Sequence, residues 1–233
     1  MIPTIGSTLL LGFILGVQHA LDADHVVAVS TIVSRERKPL RAAAAGLFWG
    51  MGHTITLLLV GIFVLVFKKT IPVQAALSME FLVGALLVGL GIQILWDYWR
   101  KWFHAHSHGP GRCHLHFHAH NQEHDHHPGK HQRKSLLVGM VHGLAGGGAL
   151  VLLVLATIDT LLEGVAYILV FGVGSILGMV IISTVLGLPF TLSAKWTGKL
   201  NERTRLLTGG VSIVLGELVM VQIGLLGGLF STA

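Results

Sequence analysis

Six stretches of the chain carry no charged residue: 1–21, 42–67, 81–96, 135–158, 164–194 and 206–216, the last resuming beyond Glu217. Most match or exceed the roughly 20 apolar residues that cross a hydrocarbon core, and the two short ones are each interrupted by an acidic residue. The pattern predicts six membrane helices at about 4–33, 42–67, 74–98, 134–158, 164–192 and 206–230. Pro72 fits the start of the third, and Pro189, near the end of the fifth, is expected to bend or stop it. The predicted fold class is an all-α polytopic membrane protein.

Composition agrees with this reading. Of 233 residues, 52% are hydrophobic and 12% charged, with a mean hydropathy of +0.73. A soluble domain carries about a quarter charged residues, so a water-soluble enzyme, a nucleic-acid reader or a disulfide scaffold is excluded. Cys113 is the only cysteine and forms no internal disulfide. The first basic residue is Arg35, so no signal peptide is expected and the first apolar segment should stay in the membrane as a span. Of the sixteen basic residues, fourteen fall in the first, third and fifth connections, and only Lys68 and Lys69 lie on the other side. By the positive-inside rule both termini are expected outside and the long third connection in the cytoplasm, in what should be a prokaryotic cytoplasmic membrane. The net charge of +5 therefore reports topology, with no nucleic-acid partner expected.

A faint internal repeat runs through these spans. Gly16-Val17-Gln18-His19-Ala20-Leu21 matches Gly139-Met140-Val141-His142-Gly143-Leu144 at an offset of 123, and Gly50/Gly52 match Gly172/Gly174 at an offset of 122. Three spans per unit would give the halves opposite orientations, a common plan of secondary transporters with a site near the midplane. The expected organisation is a three-helix repeat at 1–98, a cytoplasmic loop at 99–134 and a second repeat at 135–233. Chance matching in Gly- and Leu-rich sequence is the alternative.

The chemistry concentrates in the first span, His19-Ala20-Leu21-Asp22-Ala23-Asp24-His25. A carboxylate deep in an apolar helix costs about 2.5–3.5 kcal/mol even on lenient scales, so two need compensation. On a regular helix His19, Asp22 and His25 share an arc of roughly 120°, but the two imidazoles stand about 9 Å apart along the axis, too far to hold one ion. Either another helix shares the ion or the segment unwinds, which would also turn Asp24 inward. The set His, His, Asp, Asp favours divalent nickel, cobalt or zinc over Cu(I). The competing reading is a polar cluster that glues helices together. His53, flanked by Gly50, Gly52, Thr54 and Thr56, is a candidate fifth metal residue whose ring those hydroxyls could orient. His142, the repeat mate of His19, and the isolated Glu217 are candidate supporting residues.

The third connection holds His104, His106, His108, His114, His116, His118, His120, His124, His126, His127 and His131, eleven of fifteen histidines. Punctuated by glycine and proline and without apolar periodicity, it reads as a flexible metal-capturing tract. A solvated linker is the bland alternative.

At these residues the chain resembles the nickel/cobalt transporter (NiCoT) family. His19-x4-Asp24-His25 is similar to that family's His-x4-Asp-His signature. Leu47-Phe48-Trp49-Gly50-Met51-Gly52-His53-Thr54 resembles its second signature, with Met51 in place of the usual Leu. The length looks like the six-helix branch associated with urease gene clusters and related efflux proteins. The resemblance implies that His19, Asp24, His25 and His53 select and carry the ion, with Asp22 as companion, and that Ni2+ or Co2+ is transported substrate rather than catalytic cofactor. It implies the bilayer, the metal ion, and cytosolic metal chaperones or urease accessory proteins as partners. Uptake by a secondary permease is the leading expectation. Efflux of the same metals and a non-transporting metal sensor remain open. An intramembrane metalloenzyme is not expected, since no His-Glu-x-x-His motif occurs, and no nucleotide-binding loop is present.

Overall fold

The computed structural model describes residues 5–36, 38–68, 71–102, 105–107, 113–115, 128–145, 158, 160–196 and 198–230. Seven α-helices account for most of them: α1 (Ile5–His19), α2 (Ala23–Val33), α3 (Pro39–Phe67), α4 (Val73–Trp102), α5 (Pro128–Ala145), α6 (Leu161–Trp196) and α7 (Gly198–Val221). Among the described residues, four helices are long and apolar enough to cross a membrane: α3, α4, α6 and α7 with its continuation to Leu226. The pair α1 and α2 makes a fifth if taken as one span bent by 56°. The predicted span 134–158 is described only as far as Ala145, within α5, and the rest lies outside the described residues. The described residues thus supply four of the six expected spans, or five with the bent pair counted as one.

Several boundaries differ from the sequence expectation. Pro189 lies inside α6, which continues to Trp196. A proline is tolerated inside a transmembrane helix, where neighbouring groups and local adjustment make good the lost backbone bond. The expected fifth connection is almost wholly helical, since α7 begins at Gly198 and carries Lys199, Arg203 and Arg205 on its first turns. Charge ends a hydrophobic run without ending a helix. At its far end α7 widens into a π-helical turn, Gln222–Leu226.

Within the His-rich connection the structure adds an element the sequence reading lacked. Strands β1 (Ala105–Ser107) and β2 (Cys113–Leu115) pair antiparallel, with His106 opposite His114. Alternate histidines suit chelation, but a period of two is also the period of a strand. The remaining tract histidines, apart from His131 in the first turns of α5, lie outside the described residues.

The helices approach closely through small residues, the usual device where lipid supplies no hydrophobic drive. A Cβ on Gly16 of α1 would collide with the Phe171 carbonyl of α6, and one on Gly139 of α5 with the Trp49 carbonyl of α3. Gly52 stands against the Leu136 carbonyl, and Gly174 against that of Phe13. Gly50 packs on Ile176 and Gly172 on Thr54, so α3 and α6 cross through both. Gly84 and Gly91 of α4 meet Gly216 and Gly209 of α7 in the same manner. Ser212 Oγ adds a hydrogen bond to the Leu87 carbonyl at 2.7 Å. Trp49, Leu87, Phe171, Tyr167 and Met179 fill the spaces between.

Candidate metal centre

The centre is built at the break between α1 and α2. His19 is the last residue of α1 and Ala20–Asp22 are out of helix, so α2 restarts at Ala23 along a new axis. This break resolves the 9 Å conflict of a regular helix. The rings of His19 and His25 now stand 4.4 Å apart, edge to face. The negative end of α1 faces the imidazoles and the positive end of α2 faces Asp22 and Asp24, an arrangement favourable to a cation and its carboxylates respectively. Asp22 occupies the N-cap position of α2 yet makes no capping hydrogen bond. Its Oδ2 instead accepts from His19 Nδ1 at 2.8 Å.

His53 reaches the same point from α3. Its ring lies 5.2 Å from that of His19 and 5.3 Å from that of His25. One donor atom from each of the three histidines lies within 4.8 Å of the other two. All three are buried to within 2% of complete. His25 Nδ1 is held by Asp24 Oδ1 at 3.1 Å, just as His19 is held by Asp22. An imidazole that donates Nδ1–H to a carboxylate presents a lone pair at Nε2, and this pairing commonly orients and strengthens metal-binding histidines. His19 Nε2, His25 Nε2 and both nitrogens of His53 have no hydrogen-bond partner. Unpaired polar groups in a dry interior are costly. A cation satisfies all three rings together.

The fourth histidine arrives from α5. His142 Nε2 lies 3.0 Å from Asp24 Oδ2 and 3.3 Å from His25 Nδ1. Trp49 walls this side, with its ring 5.6 Å from that of His142, and Phe171 walls the other at 5.6 Å from His19.

The structure therefore brings together His19, Asp22, Asp24, His25, His53 and His142. The candidate supporting residues fare differently. Thr54 Oγ1 donates to the Gly172 carbonyl at 3.4 Å and Thr56 Oγ1 to the Gly52 carbonyl at 3.2 Å. Neither orients the His53 ring, because a threonine in a helix finds a backbone carbonyl one turn back or across a close crossing more readily than a neighbouring side chain. Glu217 is exposed on α7 and belongs to neither donor group among the described residues. Tyr167 and Ser175, which the sequence reading passed over, are buried near this region with unpartnered hydroxyls. Gly12 and Gly16 of α1 pack directly on Tyr167 and on the backbone at Ser175.

A family model described as NicO, high-affinity nickel-transport protein, matches residues 5–231. The urease accessory protein UreH of Bacillus sp. (strain TB-90) is 43% identical over 224 residues, covering 96% of this chain and 95% of the relative. The high-affinity nickel transport protein of Cupriavidus necator is 32% identical over 89 residues, 36% of this chain and 24% of that protein. The chloroplast protein FOR GROWTH AND FERTILITY 1 of Arabidopsis thaliana is 24% identical over 216 residues, 91% of this chain and 58% of the relative. No solved structure matches.

Proposed function

The chain belongs to the NicO family of high-affinity nickel-transport proteins, and we propose that its cargo passes through the cluster of His19, His25 and His53. The observation that carries this reading is the convergence of three buried imidazoles with unpartnered nitrogens at a helix break. At this cluster Asp22 and Asp24 fix the rings of His19 and His25 and balance the charge of the ion. Three nitrogen donors suit nickel and cobalt alike, so Co2+ is a second substrate.

Transport is secondary, and its direction is uptake. A site of several imidazoles in a dry pocket binds tightly, which is of use where the ion is scarce and must be gathered. Six spans arranged as two inverted three-helix repeats, 1–98 and 135–233, supply the frame. The contact of Gly16 with Phe171 becomes that of Gly139 with Trp49 when each residue is exchanged for its mate in the other half. The pairs Gly52 with Leu136 and Gly174 with Phe13 exchange in the same way, as do Gly50 with Ile176 and Gly172 with Thr54. Such reciprocity supports a pseudo-two-fold axis between the halves. The termini lie outside and the His-rich tract in the cytoplasm, where it buffers arriving ion and hands it to chaperones or urease accessory proteins.

Accumulation of radioactive nickel in cells with and without the chain tests the function. Higher accumulation supports uptake, lower accumulation indicates efflux, and equal accumulation overturns transport. Labelling of a cysteine engineered between His104 and His131 by an impermeant reagent outside intact cells would reverse the orientation.

A further inference from the structure

A second set of donors adjoins the three-histidine cluster. Asp24, His25 and His142 each offer one ligand atom within 4.8 Å of the other two. The separations are 3.0 Å from Asp24 Oδ2 to His142 Nε2, 3.3 Å from there to His25 Nδ1, and 3.1 Å from His25 Nδ1 to Asp24 Oδ1. With metal–ligand bonds of about 2.0–2.2 Å, neighbouring ligand atoms of a tetrahedral or octahedral first-row complex lie roughly 2.8–3.6 Å apart. Each separation falls within that range, with His142 and His25 facing different oxygens of the same Asp24 carboxylate. His25 and His142 are wholly buried, and His142 Nδ1 has no partner.

The two sets meet at His25, which turns Nδ1 toward this trio while its Nε2 is unpaired beside His19 and His53. They differ in charge, three neutral imidazoles against two imidazoles and a carboxylate. They also differ in origin. The first draws on α1, α2 and α3, whereas the second joins α2 to α5.

We propose that Asp24, His25 and His142 form a second position for the transported ion, with His142 its ligand from the second half. The proposal rests on the first cluster being the entry position. An ion held by several imidazoles in a dry pocket is slow to leave, and conduction requires more than one position of moderate strength. The ion leaves His19, His53 and the Nε2 face of His25 and is taken up by Asp24, His142 and the Nδ1 face of His25, so that as one His25 bond breaks and the other forms the ring's proton passes from Nδ1 to Nε2. The ion departs from a position where a carboxylate has lowered its net charge and where one wall belongs to the other half.

The test uses the full chain with Cys113→Ser, which removes the only native thiol, and adds either His142→Cys or His53→Cys. Each purified variant is titrated with Co2+ and followed in the near ultraviolet, where a thiolate bound to cobalt gives an intense charge-transfer band that histidine and carboxylate do not. Both variants are expected to develop the band. A band with His53→Cys and none with His142→Cys overturns the second position and leaves the first standing, with His142 reduced to a hydrogen-bond donor to Asp24. A band with His142→Cys alone supports the second position and removes the first, and no band in either overturns both. If His142→Cys does not yield folded protein, nickel transport by His142→Asp and His142→Leu decides. Asp keeps an oxygen ligand and should transport at least tenfold faster than Leu; equal rates overturn the proposal.

Discussion

The two proposed halves of the molecule, 1–98 and 135–233, share a packing scheme and differ in chemistry. Gly16 against Phe171 and Gly139 against Trp49 are the same contact made twice, and Gly84 with Gly216 repeats as Gly209 with Gly91. Yet His19, Asp24, His25 and His53 of the first half correspond, at the offsets 123 and 122, to His142, Gly147, Gly148 and Ser175 of the second. Only the first histidine has a histidine mate. Backbone complementarity between helices depends on small residues at a few positions, so it survives when the polar side chains between them change. The lesson is that a symmetric frame can carry an asymmetric site. His142, the mate of His19, stands within hydrogen-bond distance of Asp24 in the first half.

The most severe way to probe that asymmetry is to remove the residue both donor sets share. His25→Ala takes away a wholly buried ring that packs against His19, His53 and His142 and holds Asp24. Losing one member of such a group leaves the remaining buried charge uncompensated. Nickel accumulation should fall to the level of cells lacking the protein, while membrane fractionation shows the chain inserted. Accumulation at the wild-type rate would make the cluster structural glue.

Replacing a site residue of the first half by its mate gives the next largest effect. His53→Ser installs the side chain found at Ser175 and removes one of three unpartnered imidazoles. Nickel affinity, measured as the concentration giving half-maximal uptake, should weaken by tenfold or more. Ser175→Ala, the reciprocal probe, removes a buried hydroxyl with no partner and should leave that concentration within about twofold. Equal losses in the two variants would mean that the second half carries an active site of its own.

Much of this centre is legible in the chain because membranes make polar groups expensive. Two carboxylates and two histidines within seven positions of an apolar run demand a function. The 9 Å separation on a regular helix asks for either a second helix or an unwinding, and the structure shows both, His53 on α3 and the break at Ala20–Asp22. His142 was readable only as a repeat mate, since periodicity carries no information on which helix faces which. Glu217 shows the limit of the cost argument: its side chain is on an exposed face of α7, and expense alone does not place a residue in a site. Helix ends were misread wherever charge was taken as a terminator, because charged residues such as Lys199, Arg203 and Arg205 of α7 are themselves good helix formers and are tolerated in its first turns.

Asp22 separates orientation from ligation. Its carboxylate is half exposed and bonds His19 Nδ1, away from the unpartnered Nε2 atoms. Loss of such an outer partner typically costs 10- to 100-fold in metal affinity, while the ligands themselves remain. Asp22→Asn should therefore fall at the mild end, about tenfold in the half-maximal nickel concentration, with the maximal rate little changed. The amide keeps an oxygen that accepts from His19. A complete loss, equal to that of His25→Ala, would make Asp22 a direct ligand.

The smallest effect is expected where the histidines are most numerous. The tract from His104 to His131 holds eleven of them, but it connects the halves in sequence and supplies no side chain to the buried cluster among the described residues. Its donors are interchangeable: with so many alternatives, loss of any one leaves others to bind. With the tract in the cytoplasm, as proposed, an ion captured there has already crossed the membrane or has yet to enter it, and the expected effect is on how much ion is waiting rather than on how fast the buried site turns over. Deleting residues 105–127 removes most of the donors and stops short of α5, which begins at Pro128 and carries His142. At high nickel supply the shortened chain should transport within about twofold of the full chain. At trace supply, where gathering limits the flux, accumulation should drop several-fold. Complete loss at high supply, with the shortened chain correctly inserted, would put the tract on the ion path and move the centre of the mechanism away from the break between α1 and α2.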